Sequence, residues 1–512
     1  MPTGSASLRP DEPISISHGE DSAVASVALT LFAIALGHAV DLKDGTYSPE
    51  ALFWLTVGVG FVVLAVINPR WEGLQPWCRR WLPMILAVGV ADQSYYLLLR
   101  VRGDPQITLA FATVAILGLI QFVEIRNRLK WPLMAIMVLS FCIAGEMAFN
   151  VHSKYPGIDV FMFQSGGAHG FLHGMNPYTL VYPNIYPADT PFYGAGVVNT
   201  LRPLPQGFID FWHRAIPEIV YPNGLYPVGA RHPLMLGADG VLTVGYPYPP
   251  FSMILTLPGY LLGGDVRYSH VAAMGISAGL IAVTRPGRVA SLAAALLLLM
   301  PRALYVLDLS WTEPLLVLTF SFVMFCAFRW RKALPVALGL YFSTKQYTIL
   351  TLPLLPLLIG GPQHWRSLGK ILLKAAVVVA VINIPFLLWD FHGFVRSLVV
   401  FQFLQSFRMD ALSYLVFIRQ YVPNLPLPAW IALLPLVVII PVSLRRLPNS
   451  PAGFCAAVTA VHLFFFAFNK LAFCNYYYFV IATACWAVAV GKFAKVKETG
   501  AEIPAEVRLR RA

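Results

Sequence analysis

Residues 157 to 178 read GIDVFMFQSGGAHGFLHGMNPY, directly after a long apolar run. Asp159 brings a carboxylate able to act as a general base, drawing the proton from a hydroxyl as that hydroxyl attacks. Asp is also favoured at helix starts, and an apolar run follows GID, so a capping role stands beside the base. His169 and His173 hold an i, i+4 spacing, which puts two imidazoles on one helix face and suits a metal. No third ligand is close in sequence, so hydrogen bonding or substrate contact is the simpler use for them, and no metal is expected. The interspersed glycines permit close backbone approach. Asn176 and Tyr178 end the stretch as NPY.

The elements that must hold these residues are membrane helices. Of 512 residues, 57% are hydrophobic and 12% charged, and the mean hydropathy is +0.66. A soluble chain carries about a quarter charged residues. Apolar runs of about 17–22 residues recur, near the length that spans a bilayer, and the alternation of a β-barrel is absent. The net charge of +12 sits in short loops between the runs, following the positive-inside rule. No dense basic tract with interleaved aromatics occurs, which argues against nucleic acid as a partner. Cys78, Cys142, Cys326, Cys455, Cys474 and Cys485 form no CxxC and lie mostly inside apolar runs, so neither a metal nor a disulfide framework is expected. The first 20 residues lack the order of a signal peptide and resemble a disordered tail.

Crossings are expected near 23–41, 51–67, 81–99, 106–123 and 131–149. Arg70, Arg79 and Arg80, then Arg126, Arg128 and Lys130, mark cytoplasmic loops. Arg100 and Arg102 fall on the other side and run against this scheme. The amino terminus is then inside, and residues 150–248 form an extracytoplasmic loop rich in Tyr, Pro, Gly and His. A loop this long is usually functional, and its aromatic content argues against disorder, so short interfacial helices are expected in it. The basic RPGR at Arg285–Arg288 and RWRK at Arg329–Lys332 make residues 251–264, which contain Pro258, an interfacial or re-entrant helix and 268–284 the crossing. Two short helices meeting near Ser343–Tyr347 put Lys345 at an outer tip, away from the bilayer centre, where a charge costs roughly 2.5–3.5 kcal/mol. Helices near 289–307 and 313–330, joined by an outer turn, and further crossings near 370–390, 428–444, 453–469 and 474–491 bring the total to about fourteen helices, with both termini cytoplasmic.

Under this topology the polar residues gather on the outer face. Glu146 ends the fifth run, Glu313 follows an outer turn, and Lys345 and Gln346 crown the short hairpin. Arg408 and Asp410 lie in a later outer loop, and Asn469 and Lys470 precede NYYYF. Cations here could balance a lipid phosphate, Arg bidentately. Each has a plainer use as well. Glu146 at a helix end often pairs structurally, Thr312-Glu313-Pro314 has the form of a helix start, Lys345 could snorkel to the interface, and Tyr248 could belong to an interfacial aromatic belt rather than stack on a sugar.

The order of Asp159, a small-residue stretch and NPY, followed by Tyr248 to Pro250, resembles the GT-C glycosyltransferases. More narrowly it resembles bacterial glycosyltransferase family 87, the polyprenyl-phosphate-mannose dependent mannosyltransferases. GLYFSTKQYTILTLPLL and RMDALSY are similar to that group too. The resemblance covers about residues 131 to 491. It makes 1–22 a cytoplasmic tail, 23–130 an additional four-helix region, 131–491 the catalytic domain and 492–512 a second tail. It implies an all-α polytopic GT-C-like fold in the cytoplasmic membrane, a polyprenyl-phosphate sugar donor, a glycan or glycolipid acceptor and an inverting displacement. No cofactor and no metal are implied, and the long loop has no convincing DxD motif. Asp159 matches the family's base; Lys345 and Arg408 would hold the leaving phosphate. The competing expectation is a multi-pass transporter or flippase. That class often shows repeated halves and a midplane site, whereas here no repeat is evident and the polar residues favour one face.

Overall fold

The computed structural model describes residues 22–68, 71, 73–123, 127–152, 156–186, 193, 197–199, 241–360 and 364–492. Arg70, Arg126, most of both tails and much of the long loop lie outside the described residues.

The chain is overwhelmingly helical. Six helices are long and apolar enough to cross a membrane: Ala23–Gly45, Pro49–Ile67, Gln75–Val101, Leu129–Val151, Trp365–Trp389 and Ala429–Arg446. A seventh candidate is the pair Pro250–Gly263 and Arg267–Thr284, bent by 114°. The break follows from sequence. Gly264 takes φ +74 as the C-cap of the first helix, a conformation glycine adopts without strain. Arg267 then folds back onto Asp265, its Nε 2.9 Å from Oδ2. Shorter apolar helices, among them Pro105–Ile120, Pro451–Ala467 and Cys474–Val490, fall at other positions where crossings are expected.

Helix starts are built as the sequence implies. Ser22, Ser48, Asp104 and Ser450 each accept a backbone N–H of the first turn, and Pro follows three of them at once. The helix Cys474–Val490 is buried almost throughout its length. It packs on Ala23–Asp41, Arg288–Leu298, Glu313–Arg329 and Pro451–Ala467. Residues 23–130 therefore share one apolar core with the later helices. The helix Trp365–Trp389 is the opposite case. Leu373, Val377, Val381, Ile384 and Leu388 repeat at helical spacing along it, and all are exposed. Such an apolar stripe faces hydrocarbon, not water.

The described parts of the long loop carry a second apolar cluster, with Phe161, Tyr178, Tyr182 and Tyr246 packed against Phe386, Phe394 and Phe401. A three-stranded antiparallel sheet of two-residue strands, absent from the all-α expectation, lies within it: Tyr182–Pro183 and Val198–Asn199 flank Val241–Leu242. Gly245 is pressed so closely on the Tyr178 carbonyl that any Cβ would collide with it.

Two helices give the molecule polarity. Glu313–Arg329 and Cys474–Val490 each have 17 residues, about 25 Å. At one end Arg329 donates to the Thr284 carbonyl and Arg285 to that of Val490, both closing helix C-termini. At the other end lie Glu313 and Asn475. The basic loops and the polar cluster are thus separated by the length of a helix.

Candidate functional site

A cavity of about 580 Å³ opens at the end away from Arg285 and Arg329, and Asp159, Tyr248, Lys345, Gln346 and Arg408 all contribute to its wall. Residues far apart in the chain meet here because the loop after the fifth helix, the break near Lys345 and the last two helices share this end.

Asp159 opens the helix Asp159–Leu172, with Ile158 in extended backbone before it. The carboxylate accepts from the Tyr193 hydroxyl at 2.7 Å, and its own N–H donates to the Tyr186 hydroxyl at 3.4 Å. Burial raises its pKa above the ordinary carboxylate value, while the tyrosine hydrogen bonds and the charge of Arg408 pull the other way. A carboxylate so placed is a stronger proton acceptor than one in water.

Lys345 follows the helix Leu334–Phe342 and precedes a 3-10 turn from Gln346. Its ammonium lies 3.0 Å from Glu313 Oε1, donates to the Thr312 hydroxyl, and sits 4.5 Å from the centre of the Tyr248 ring. Glu313 starts its helix, as expected, and also accepts from the Tyr347 hydroxyl and from Asn475 Nδ2. Gln346 Nε2 donates to the carbonyls of Pro247 and Leu398, latching the long loop to the hairpin. Arg408 makes a two-pronged contact with Asp410, at 2.8 and 2.7 Å.

Both cations expected to meet a phosphate therefore already have carboxylate partners. The two pairs differ in kind. Glu313 is wholly buried, whereas Asp410 is 43% exposed. A solvated pair is worth about 0–1 kcal/mol and exchanges partners cheaply. Breaking a buried one costs about 3–5 kcal/mol. The Arg408–Asp410 pair is thus the one that a competing anion opens at lower cost, and the Lys345–Glu313 pair the one that holds its geometry. Lys470, noted among the outer-face residues but not placed in the site, also lines the cavity. Its Nζ meets only the carbonyls of Phe403 and Gln405 among the described residues, and burial lowers its pKa.

Six expected site residues stand outside the cavity wall, among them Glu313, which reaches it only through its contacts with Lys345 and Tyr347. Glu146 accepts from Asn150 Nδ2 and the Tyr268 hydroxyl. His169 and His173 stack on each other with ring centres 4.1 Å apart, and His169 Nδ1 lies 2.9 Å from the Tyr260 hydroxyl. No group of three metal-ligating side chains occurs among the described residues. Asn176 accepts the Tyr178 N–H in a tight turn, and Tyr178 is buried with its hydroxyl on the Tyr248 carbonyl. These two shape the loop that carries Tyr248.

Sequence reasoning missed Tyr186, Trp311 and Tyr347, which with Tyr476 of NYYYF add an aromatic wall, and Asp44 and Thr46 from the first helical hairpin. No spacing links them to Asp159. Ile349, Phe403, Trp430 and Leu433 also line the cavity, yet they are exposed apolar side chains, so its polar interior continues onto an apolar outer surface. Comparisons with protein-family models, curated proteins and solved structures returned no match.

Proposed function

We propose that the protein is an integral membrane glycosyltransferase that moves a sugar from a polyprenyl phosphate to a hydroxyl of a lipid-linked or envelope glycan. One observation carries the reading: a half-buried carboxylate, Asp159, and two cations, Arg408 and Lys470, share a cavity whose rim is exposed apolar surface. An amphiphile with a phosphate head and hydrocarbon tail matches that division. In the step proposed, the acceptor oxygen attacks the anomeric carbon as Asp159 takes its proton. The bond from that carbon to the phosphate oxygen breaks, and its electron pair leaves with the phosphate toward Arg408 and Lys470. The anomeric configuration inverts. Aromatic rings of Tyr248 and Tyr476 offer stacking faces for the sugar.

The finer architecture belongs to the same proposal: a GT-C-like fold of about fourteen helices, both termini cytoplasmic and the cavity extracytoplasmic. It is supported by the basic loops at one end of the helices and the cavity at the other. The test is sugar transfer by the reconstituted protein with a panel of polyprenyl-phosphate sugars and envelope lipid extract, run beside Asp159→Asn. Transfer that collapses in a folded, donor-binding Asp159→Asn variant is the expected result. Undiminished transfer in that variant, or none by the wild type across the panel, defeats the proposal.

A further inference from the structure

The amino-terminal helices reach the cavity through one short turn. Between Ala23–Asp41 and Pro49–Ile67 the chain reads Leu42 to Ser48, and Lys43, Asp44 and Gly45 all take positive φ, at 44, 61 and 74. Two successive non-glycine residues in the left-handed region are uncommon and persist only when their surroundings hold them. Here the surroundings do. A Cβ at Gly45 would stand 2.5 Å from that of Cys474, so the turn is pressed against the start of the buried helix Cys474–Val490. Tyr47 N–H donates to the Asp410 carbonyl at 2.9 Å, and Thr46 pairs with Ala411. Arg302, itself buried, pairs with Asp44 through one nitrogen, which also donates to the Asp41 carbonyl.

The result is a carboxylate aimed at the cavity by fixed backbone. Asp44 and Thr46 both line it, and the Asp44 side chain is 57% exposed there. Arg302 engages Oδ1, and among the described residues Oδ2 has no hydrogen-bond partner. Asp44 also stands in different surroundings from Asp159: among the described residues it makes no tyrosine hydrogen bond, and its turn lies beside the Arg408–Asp410 loop.

We propose that Asp44 is a specificity-determining residue that binds the hydroxyl groups of the sugar acceptor, so that the amino-terminal helices contribute a wall of the acceptor site. The substrate class rests on the sugar-transfer reading; the binding claim can be tested apart from it. A carboxylate accepts two hydrogen bonds from neighbouring sugar hydroxyls and gives none, which suits a polyhydroxylated ligand. The phosphate of the donor would be repelled by it, so Asp44 discriminates between the two substrates by charge.

The experiment uses the full chain in nanodiscs, free of sugar detergents, and measures equilibrium binding of two probe types. One is a set of octyl glycosides (α-mannoside, β-glucoside, β-galactoside); the other is farnesyl phosphate. Wild type is compared with Asp44→Asn and Asp44→Gly, both residues that tolerate the left-handed turn. The expected result is saturable binding of at least one glycoside, weakened about tenfold or more by both variants, with farnesyl phosphate affinity unchanged or tightened. Unchanged glycoside binding in the variants, equal loss of both probes, or no glycoside binding by the wild type would overturn the proposal. If the binding pattern holds but the protein transfers no sugar, the transferase reading fails and the assignment of Asp44 to sugar binding stands.

Discussion

Lys345 and Glu313 form an ion pair 3.0 Å long in which the carboxylate has no exposure to solvent. Thr312, Tyr347 and Asn475 complete its hydrogen bonding. Such a pair specifies geometry more than it stabilises, since desolvation offsets most of the attraction. Removing one member is another matter, because the other is left buried and charged.

Glu313→Gln or Lys345→Met alone is expected to destabilise the protein by about 3–5 kcal/mol, and the double variant by clearly less. Thermal unfolding of the three variants in nanodiscs measures this. Equal or additive losses would mean that the pair is not energetically coupled.

The pH dependence of transfer should report Asp159. Burial raises its pKa, so the base form is lost as pH falls through a value above that of a free carboxylate, and turnover should show an acid limb there. The Tyr193 hydrogen bond stabilises the charged form, so Tyr193→Phe is expected to move that limb to higher pH. Asp159→Asn should lower kcat about 10²–10⁴-fold and abolish the limb. A Tyr193→Phe profile moved downward would contradict the assignment.

Phosphate contact separates the three cations. Lys470→Gln and Arg408→Gln are expected to raise the donor KM about tenfold, as loss of a charge-assisted hydrogen bond does, with a smaller effect on acceptor KM. A conservative Arg408→Lys should restore only part, since the two-pronged geometry is lost. If donor KM is unmoved in both Gln variants, the phosphate lies elsewhere.

Gly245→Ala tests the loop scaffold. The new methyl would meet the Tyr178 carbonyl, and Tyr178 holds the carbonyl of Tyr248 through its hydroxyl. Overpacking of this kind costs about 1–3 kcal/mol. The expected outcome is lowered thermal stability together with faster proteolysis between residues 150 and 248; stability equal to wild type would count against the close approach.

Much of the scaffold was legible in the chain because hydrophobic length is local information. The run 250–284 is indeed a sharply bent pair, its break at Gly264, while Pro258 lies inside the first helix. Thr312-Glu313-Pro314 does start a helix. Asp159 stood out because a lone acid beside an apolar run is rare, and it does reach the cavity. His169 and His173 stood out for their i, i+4 spacing, yet His169 is turned toward Tyr260 and His173 stacks on His169. Partnerships across the chain were not legible. Glu313 and Asn475 are 162 residues apart, and no periodicity encodes such a meeting. The same holds for Asp44, whose four-residue turn looks from sequence like a simple connector. Residues 23–130 resembled an addition because family resemblance stops near residue 131, but packing does not stop there.

The helix Cys474–Val490 is the last described helix to leave the ribosome, yet it occupies the middle of the bundle. Helices made earlier must therefore wait in the membrane with the faces meant for it uncovered or provisionally paired. Assembly of the bundle cannot finish until this helix is in place, and the cavity wall that Asn475 and Tyr476 supply exists only then. A chain stopped before residue 474 would present several unfilled apolar grooves and a Glu313 without its Asn475 partner, marks by which membrane quality control can tell an incomplete copy from a finished one.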